Sequence, residues 1–498
     1  MREIDRREFL KVTGAGAGLA ALAWLAPAAE AGPAAKRPNF LFIICDDQRP
    51  GMIHALGNDV VQTPNLDRLV HGGFSFTGTH MMGSANTGAV CIPGRAMILS
   101  GRTLFRAPNN LGDLPLWPEV LRRQGYATFA SGKWHNGEPS FARCFSGGGT
   151  IFFGGMYGNQ FRPTYQDFSP DGDYKKQPVK TADKFSTELF TDSIVDFIRR
   201  KPASPFLAYL AFTSPHDPRT PPAPYATMYD PAKMPLPKNF LPQHPFNNGE
   251  MAVRDEKLAP WPRTPEIVRR HLCDYYGMVS CHDAQIGRVL KALEDIGQID
   301  NTIIVFTGDH GLAVGQHGLF GKQNVYEHSV GIPLVLCGPG IPKGKSDALV
   351  YGFDVYPTLL ELAGAPVPDS VEGKSLVPVM AGRQAKLRDS AFFAYQKCQR
   401  AVRDDRWKLI RYPQVDKTQL FDLQNDPWEM TDLSAAPEHA AKVKELMALL
   451  VKWQGELGDT LPLTVADPKK PDWSPPGGNG GGKAAGTGKK GKQQKANP

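Results

Sequence analysis

The stretch Asn39-Phe40-Leu41-Phe42-Ile43-Ile44-Cys45, followed at once by Asp46-Asp47, decides the fold. A continuous apolar run without alternation is what a parallel strand needs when both of its faces are covered. The abrupt switch to two carboxylates marks its carboxyl end. Similar runs recur at 205–213, 302–307 and 332–336. Between them lie amphipathic stretches at 64–72, which starts on Pro and stops on Gly, at 183–200 and at 267–297. This alternation predicts an α/β fold: one large, mostly parallel sheet with helices on both faces. Beyond about 385 the pattern changes to short segments split by turn residues, Arg406 to Ile410 and Gln419 to Leu423 among them, and then a helix near 437–457. A small C-terminal subdomain with an antiparallel sheet and a helix is expected there. No internal repeat is visible.

At 498 residues the chain has room for one large domain and a smaller one. Its 41% hydrophobic and 21% charged content is that of an ordinary globular protein. The net charge of +7 is local. Residues 1–31 hold four basic and four acidic groups that cancel, and five lysines lie in the tail (Lys483, Lys489, Lys490, Lys492, Lys495), which leaves +2 on the body. Nucleic acid is therefore not an expected partner.

The N-terminus reads Arg6-Arg7-Glu8-Phe9-Leu10-Lys11, then an uncharged Gly/Ala-rich run, then Ala29-Glu30-Ala31. A twin arginine, a weakly apolar core and a small-x-small cleavage site resemble a bacterial Tat signal, which implies a periplasmic or secreted protein. An uncleaved anchor is the alternative, but Gly content and Pro27 make this a poor spanning helix, and stable membrane insertion is not expected. The expected division is thus 1–31 signal, 32–384 catalytic domain, 385–465 C-terminal subdomain and 466–498 a disordered Gly/Lys-rich tail. The seven cysteines show no metal-type clustering. Cys273 and Cys281 lie eight apart on a helical stretch, about 12 Å along its axis and beyond the roughly 7 Å reach of a disulfide.

In a doubly wound sheet, chemistry gathers beyond the carboxyl ends of the strands. Four polar clusters fall there: Asp46-Asp47, Lys133-Trp134-His135, His216 and Asp309-His310. Adjacent carboxylates repel and raise each other's pKa, and a hard divalent cation resolves this. Alone, Asp-Asp after a strand also serves as a turn or helix cap. Asp309-His310 supplies the second half of such a metal site, although a histidine also admits zinc or manganese. Cys91 stands in Gly88-Ala89-Val90-Cys91-Ile92-Pro93-Gly94-Arg95, where Pro93 and Gly94 are expected to present the sulfur on a tight turn. A lone cysteine among apolar residues is otherwise a small buried hydrophobe. If it acts as a thiol, Arg95, Lys133 and His135 are candidates to activate it.

Cys91-Ile92-Pro93-Gly94-Arg95, continuing through Leu99-Ser100-Gly101-Arg102, resembles the signature of the type I sulfatases of the alkaline phosphatase-like superfamily. The resemblance runs over about 38–433. It takes in Asp46-Asp47-Gln48-Arg49, Thr63-Pro64-Asn65-Leu66-Asp67-Arg68-Leu69, Gly132-Lys133-Trp134-His135, Pro215-His216 and Thr307-Gly308-Asp309-His310-Gly311. In that family the cysteine is oxidised by a maturase to formylglycine, whose hydrate is the nucleophile. The resemblance implies a calcium ion held by Asp46, Asp47, Asp309, His310 and the group made from Cys91. His310, where many arylsulfatases have Asn, is similar to iduronate-2-sulfatase-like members. Asp309 would help to deprotonate the attacking hydroxyl, and attack on sulfur would leave a sulfated enzyme and a free alcohol.

His135 matches the base that expels sulfate and re-forms the aldehyde, a role for a side chain titrating near neutrality. Arg95 and Lys133 would stabilise the hydrate, while Lys133, His216 and Lys322 would contact the sulfate and the departing oxygen. Taken alone, His216 and Lys322 also read as loop residues. Most members of the family have Ser where this chain has Gly94, and that Ser belongs to the maturase recognition signal. Its absence implies inefficient conversion or a more tolerant maturase. The expected substrate is a sulfated small molecule or glycan. A phosphodiester or phosphonate hydrolase, and a sulfated-glycan-binding protein with unconverted Cys91, are the alternatives. The loops at 141–185 and 218–264, rich in Gly, Pro and aromatics, are where substrate choice is expected to lie.

Overall fold

The computed structural model describes residues 37–202 and 205–475. The Tat-like leader lies outside them. Strand β1 (Asn39–Cys45) is followed by helix α1 (Pro64–Gly72), β2 (Phe74–Phe76), β3 (Gly83–Ser84), α2 (Cys91–Ser100), β4 (Ala127–Lys133) and β5 (Gly147–Phe152). Then come α3 (Ser186–Arg199), β6 (Phe206–Ala211), the long α4 (Pro265–Asp295), β7 (Thr302–Gly308), β8 (Leu334–Cys337) and β9 (Gly344–Ser346). The last part holds β10 (Ala391–Tyr395), β11 (Gln399–Arg403), β12 (Trp407–Tyr412), β13 (Lys417–Asp422) and α5 (Ala440–Leu457).

The large sheet runs β9-β2-β8-β7-β1-β6-β4-β5. β1 is central, parallel to β7 on one side and to β6 on the other, and every residue of it is buried. Its pleat explains the unbroken apolar run: Phe40, Phe42 and Ile44 enter one core, while Leu41, Ile43 and Cys45 enter the core on the opposite face. Leu66 and Leu69 of α1, Phe190 and Ile194 of α3 and Ile286 and Leu290 of α4 fill the second core. Ala96 to Leu99 of α2 lie in the first.

The ladder continues beyond the strand ends and sets the depth of the polar clusters. Cys45 pairs with Gly308, the Asp309 amide donates to the Cys45 carbonyl at 3.1 Å, and the Asp46 amide donates to Ser214 O at 3.2 Å. Gly132 (φ 99°) precedes Lys133 where β4 crowds β6, and a Cβ there would lie 1.9 Å from Ala211 O. Only glycine lets β4 run that close.

The run at 332–336, expected to be parallel, is instead β8, antiparallel to β7. The connection 309–333 holds no crossover helix but the single-turn helix Glu327–Val330, so the chain returns beside the strand it left. The small sheet, order β13-β12-β11-β10-β3, is antiparallel except where β10 meets β3 in parallel. Phe392, Phe393, Leu409 and Leu420 of this sheet share the core of α2. Part of the segment expected as a disordered tail is held on the body: Asn247 N donates to Pro471 O at 2.7 Å, and the rings of Trp473 and Trp261 meet edge-on at 5.5 Å. No helix among the described residues is long and apolar enough to cross a membrane. All seven cysteines are free.

Candidate active site

Cys91 does not sit on a tight turn. It is the first residue of α2, with Pro93 in the first helical turn, where its missing amide proton costs nothing. Four residues on, Arg95 lies on the same face of the helix. Its Nε donates to Asp309 Oδ2 at 2.8 Å and its Nη1 to Lys133 O at 2.8 Å. One helix thus presents the sulfur and ties the ends of β4 and β7 together.

Three buried carboxylates meet three buried cations one to one. Lys133 Nζ lies 2.5 Å from Asp46 Oδ2, Lys322 Nζ 2.6 Å from Asp47 Oδ1, and Arg95 takes Asp309. Lys322 Nζ also donates to Cys91 Sγ at 3.1 Å, and Sγ lies 3.5 Å from Asp47 Oδ1. The Asp47 amide donates to Asp309 Oδ1 at 3.1 Å. Lys133 holds the Asp46 carboxyl well below its ordinary value although burial opposes this, whereas burial and then Asp46 lift Asp309 to about 6. Burial first, then Asp309 and Asp46, push the Cys91 thiol well above its ordinary range, so the sulfur stays protonated. A thiolate mechanism gains nothing from this setting.

The donor set suits a divalent cation. Ligand atoms of Asp46, Asp47, Cys91 and His216 all lie within 4.8 Å of one another. Asp46 Oδ1 is buried with no hydrogen-bond partner among the described residues. His310 Nδ1 lies 2.6 Å from the Gly311 carbonyl, which only accepts, so the proton sits there and the buried, unpartnered Nε2 carries a lone pair. His216 repeats the pattern: Nδ1 faces Asp217 O at 2.8 Å, and Nε2 points its lone pair at Asp47 Oδ2 3.6 Å away. Two acceptors facing each other call for a cation or a proton between them. Of the five expected metal ligands, Asp46, Asp47 and Cys91 converge. Each oxygen of Asp309 accepts one hydrogen bond, from Arg95 or from the Asp47 amide, and keeps a lone pair, while His216, expected as a contact of the sulfate and the departing oxygen, joins the cluster.

A cavity of about 340 Å³ opens onto Cys91, His135, His216 and Lys322. His135 has φ 73°, and its ring packs so close to Gly155 that a Cβ there would lie 2.8 Å from Nε2. Burial and then Lys133 push this imidazole down to about 2, so it is neutral over the working range and does not titrate near neutrality as expected. The rest of the wall holds residues that sequence reasoning did not single out: Gly155, Glu250, Arg254, Asp255, Gln323 and Gln396. Arg254 bridges Asp217 at 2.9 Å and pairs with Asp255, whose Oδ2 accepts from Gln323 at 2.9 Å. Gln323 adjoins Lys322, and Glu250 to Asp255 lie in the 218–264 loop, so their neighbourhood carried a signal. Gln396, on the β10–β11 turn, carried none.

Residues 38–365 match the family described as Sulfatase, and 315–456 match the C-terminal part of N-sulphoglucosamine sulphohydrolase. The chain is 28% identical to an N-acetylglucosamine-6-O-sulfatase of Bacteroides thetaiotaomicron over 86% of its own length and 88% of the relative's. It is 28% identical to an arylsulfatase of Clostridium perfringens, covering 84% and 94%. A solved structure in complex with its substrate D-glucosamine-2-N,6-O-disulfate superimposes with a TM-score of 0.71 at 26% identity, covering 86% of this chain and 99% of that one. A phosphonate monoester hydrolase from Silicibacter pomeroyi reaches 0.67 at 25% identity, covering 85% and 96%. The match to the Sulfatase family spans about two thirds of the chain and takes in every strand end that meets at Cys91, so the protein is a member of the sulfatase family in the alkaline phosphatase-like superfamily, a sulfuric ester hydrolase.

Proposed function

We propose that this protein releases inorganic sulfate from a sulfated carbohydrate, using a nucleophile made from Cys91 by oxidation to formylglycine. The observation that carries the reading is the meeting of Cys91 with Asp47, Lys322 and His216 at the foot of one cavity. The relatives that act on glucosamine sulfates support the carbohydrate class. His310, in the position of iduronate-2-sulfatase-like members, fits the same class.

Asp46, Asp47, Asp309 and His310 would hold calcium beside the group made from Cys91. When bound, the ion supplies positive charge that screens the approach of an anionic ester. The chain's own residues do the rest. Lys322 places a cation beside the Cys91 position and beside the incoming sulfate. Lys133 and His216 offer further donors to the sulfate oxygens. Arg95 fixes Asp309, keeping that carboxylate next to the attacking hydroxyl, where it accepts a proton. His135, neutral and with Nδ1 unpartnered among the described residues, accepts the proton released when sulfate leaves.

Cys91 is 2% exposed, so a maturase must reach it before the chain closes. Residues 1–31 read as a Tat-like signal that would carry the folded protein to the periplasm or beyond. Arg6→Lys with Arg7→Lys is expected to retain the protein in the cell with Cys91 still converted; normal export of that variant would remove the Tat reading. The test of the function is mass spectrometry of the peptide spanning Cys91, from protein made in its own host. An aldehyde in place of the thiol is expected. An intact thiol would sink the proposal.

A further inference from the structure

The wall of the active-site cavity has a charge pattern that the reaction does not require. Its floor is cationic once a divalent ion joins the three carboxylate–cation pairs. Its rim is acidic. Arg254 is shared by Asp217 and Asp255, so this trio leaves one negative charge in excess. Glu250 adds another: its side chain lines the same cavity and takes part in no hydrogen bond or ion pair with a described residue. The cations of the same wall are already engaged, Arg254 by Asp217 and Asp255 and Lys322 by Asp47. Part burial lifts its carboxyl above the ordinary value, the mark of a carboxylate lacking compensation.

Resting on the sulfatase reading, we propose that Glu250 selects the alcohol part of the substrate by charge. It favours a sulfate ester whose sugar bears an ammonium group, tolerates a neutral one, and rejects one with a second anionic group near the scissile sulfate. A free 2-amino sugar sulfate matches both charges of the cavity, the sulfate the cationic floor and the amine Glu250. An N-sulfated or uronate-like substituent would meet an unpaired carboxylate across a partly desolvated gap, and like charges so placed lower affinity steeply. The chain would then differ from the solved neighbour whose substrate carries a 2-N-sulfate.

The test uses glucosamine 6-sulfate, N-acetylglucosamine 6-sulfate and glucosamine-2-N,6-O-disulfate, titrated calorimetrically into calcium-loaded protein whose Cys91 is left unconverted, which binds without turnover. Expected is a fall in affinity along that series of about tenfold for each step in charge. Adding Glu250→Gln should compress the amine-to-disulfate ratio by about tenfold, and Glu250→Lys should invert the order. Both variants alter a half-exposed side chain, and unchanged melting temperatures would exclude misfolding as the cause. Binding of the disulfate as tight as that of the amine, an unchanged ratio in Glu250→Gln, or binding of none of the three overturns the proposal. Failure of the underlying reading shows separately: converted wild-type protein would then release no sulfate from any ester, whatever the binding order.

Discussion

Gly94 is the residue at which sequence and structure pull against each other. By resemblance a serine is expected there. In the fold, a Cβ at position 94 would lie 2.5 Å from the carbonyl oxygen of Asp309, the same residue that Arg95 grips. The glycine is thus the means by which α2 approaches the end of β7 closely enough for the Arg95–Asp309 pair to form. Gly94→Ala is expected to cost about 1–3 kcal/mol through overpacking and to lower activity with it. Thermal melting of the two proteins side by side checks this, and an unchanged melting temperature would mean the helix has room to spare. The meeting of Asp46, Asp47, Cys91 and His216 was legible because each stands at a strand end or in a segment that resembles the sulfatase signature. The departure of His135 from the near-neutral titration expected of it was not legible, since it depends on burial and on Lys133, which meet the ring only after folding.

Among the elements, α1 shows how a distant side chain completes a local signal. Pro64 and Gly72 bound the helix, and its start is held by Asp283 on α4, which accepts from Leu66 N at 2.7 Å and from Asn65 Nδ2 at 2.9 Å. Asp283→Ala strips these amides of their partner in a buried place. A loss of about 1–3 kcal/mol is expected, read from urea unfolding, with turnover at low temperature little changed because Asp283 lies away from the cavity. β1, α1 and β7 could be read to within a residue, since burial on both faces or a Pro start and Gly stop leaves little choice. The direction of β8 could not. Its composition is that of any buried strand, and direction is set by the connection 309–333, a segment shaped by what Lys322, Gln323 and Glu327 touch elsewhere.

Across the whole molecule, a second buried charge network joins the small sheet to that same connection. Glu327 receives Arg403 at 2.7 Å, Lys408 at 2.9 Å and His80 at 2.8 Å, and Lys408 also reaches Glu429 at 2.8 Å. Arg403 and its partners hold Glu327 well below its ordinary value although burial opposes them. Burial lifts Glu429 to about 7, with Lys408 opposing. A carboxyl raised in this way binds its proton more tightly in the native state than in the unfolded one. Its contribution to stability is therefore full below the unfolded value near 4.5 and is lost as pH rises through about 7. Melting temperature should decline between pH 5 and 8, and Glu429→Gln, which keeps the shape and the neutral form, should flatten that decline. An identical slope in the variant would assign the pH dependence to other groups. Chelation tests the remaining charge cluster: removal of divalent ions is expected to abolish activity and lower the melting temperature, and calcium to restore both.

The sulfatase assignment itself is tested most directly by release of inorganic sulfate from a panel of sulfated mono- and oligosaccharides. Converted wild-type protein and Cys91→Ala are assayed together, with phosphate esters of the same sugars as controls. Sulfate release from at least one sugar, lost by several orders of magnitude in Cys91→Ala, is the expected result. Turnover of the phosphate esters alone, or sulfate release that persists without Cys91, would contradict it.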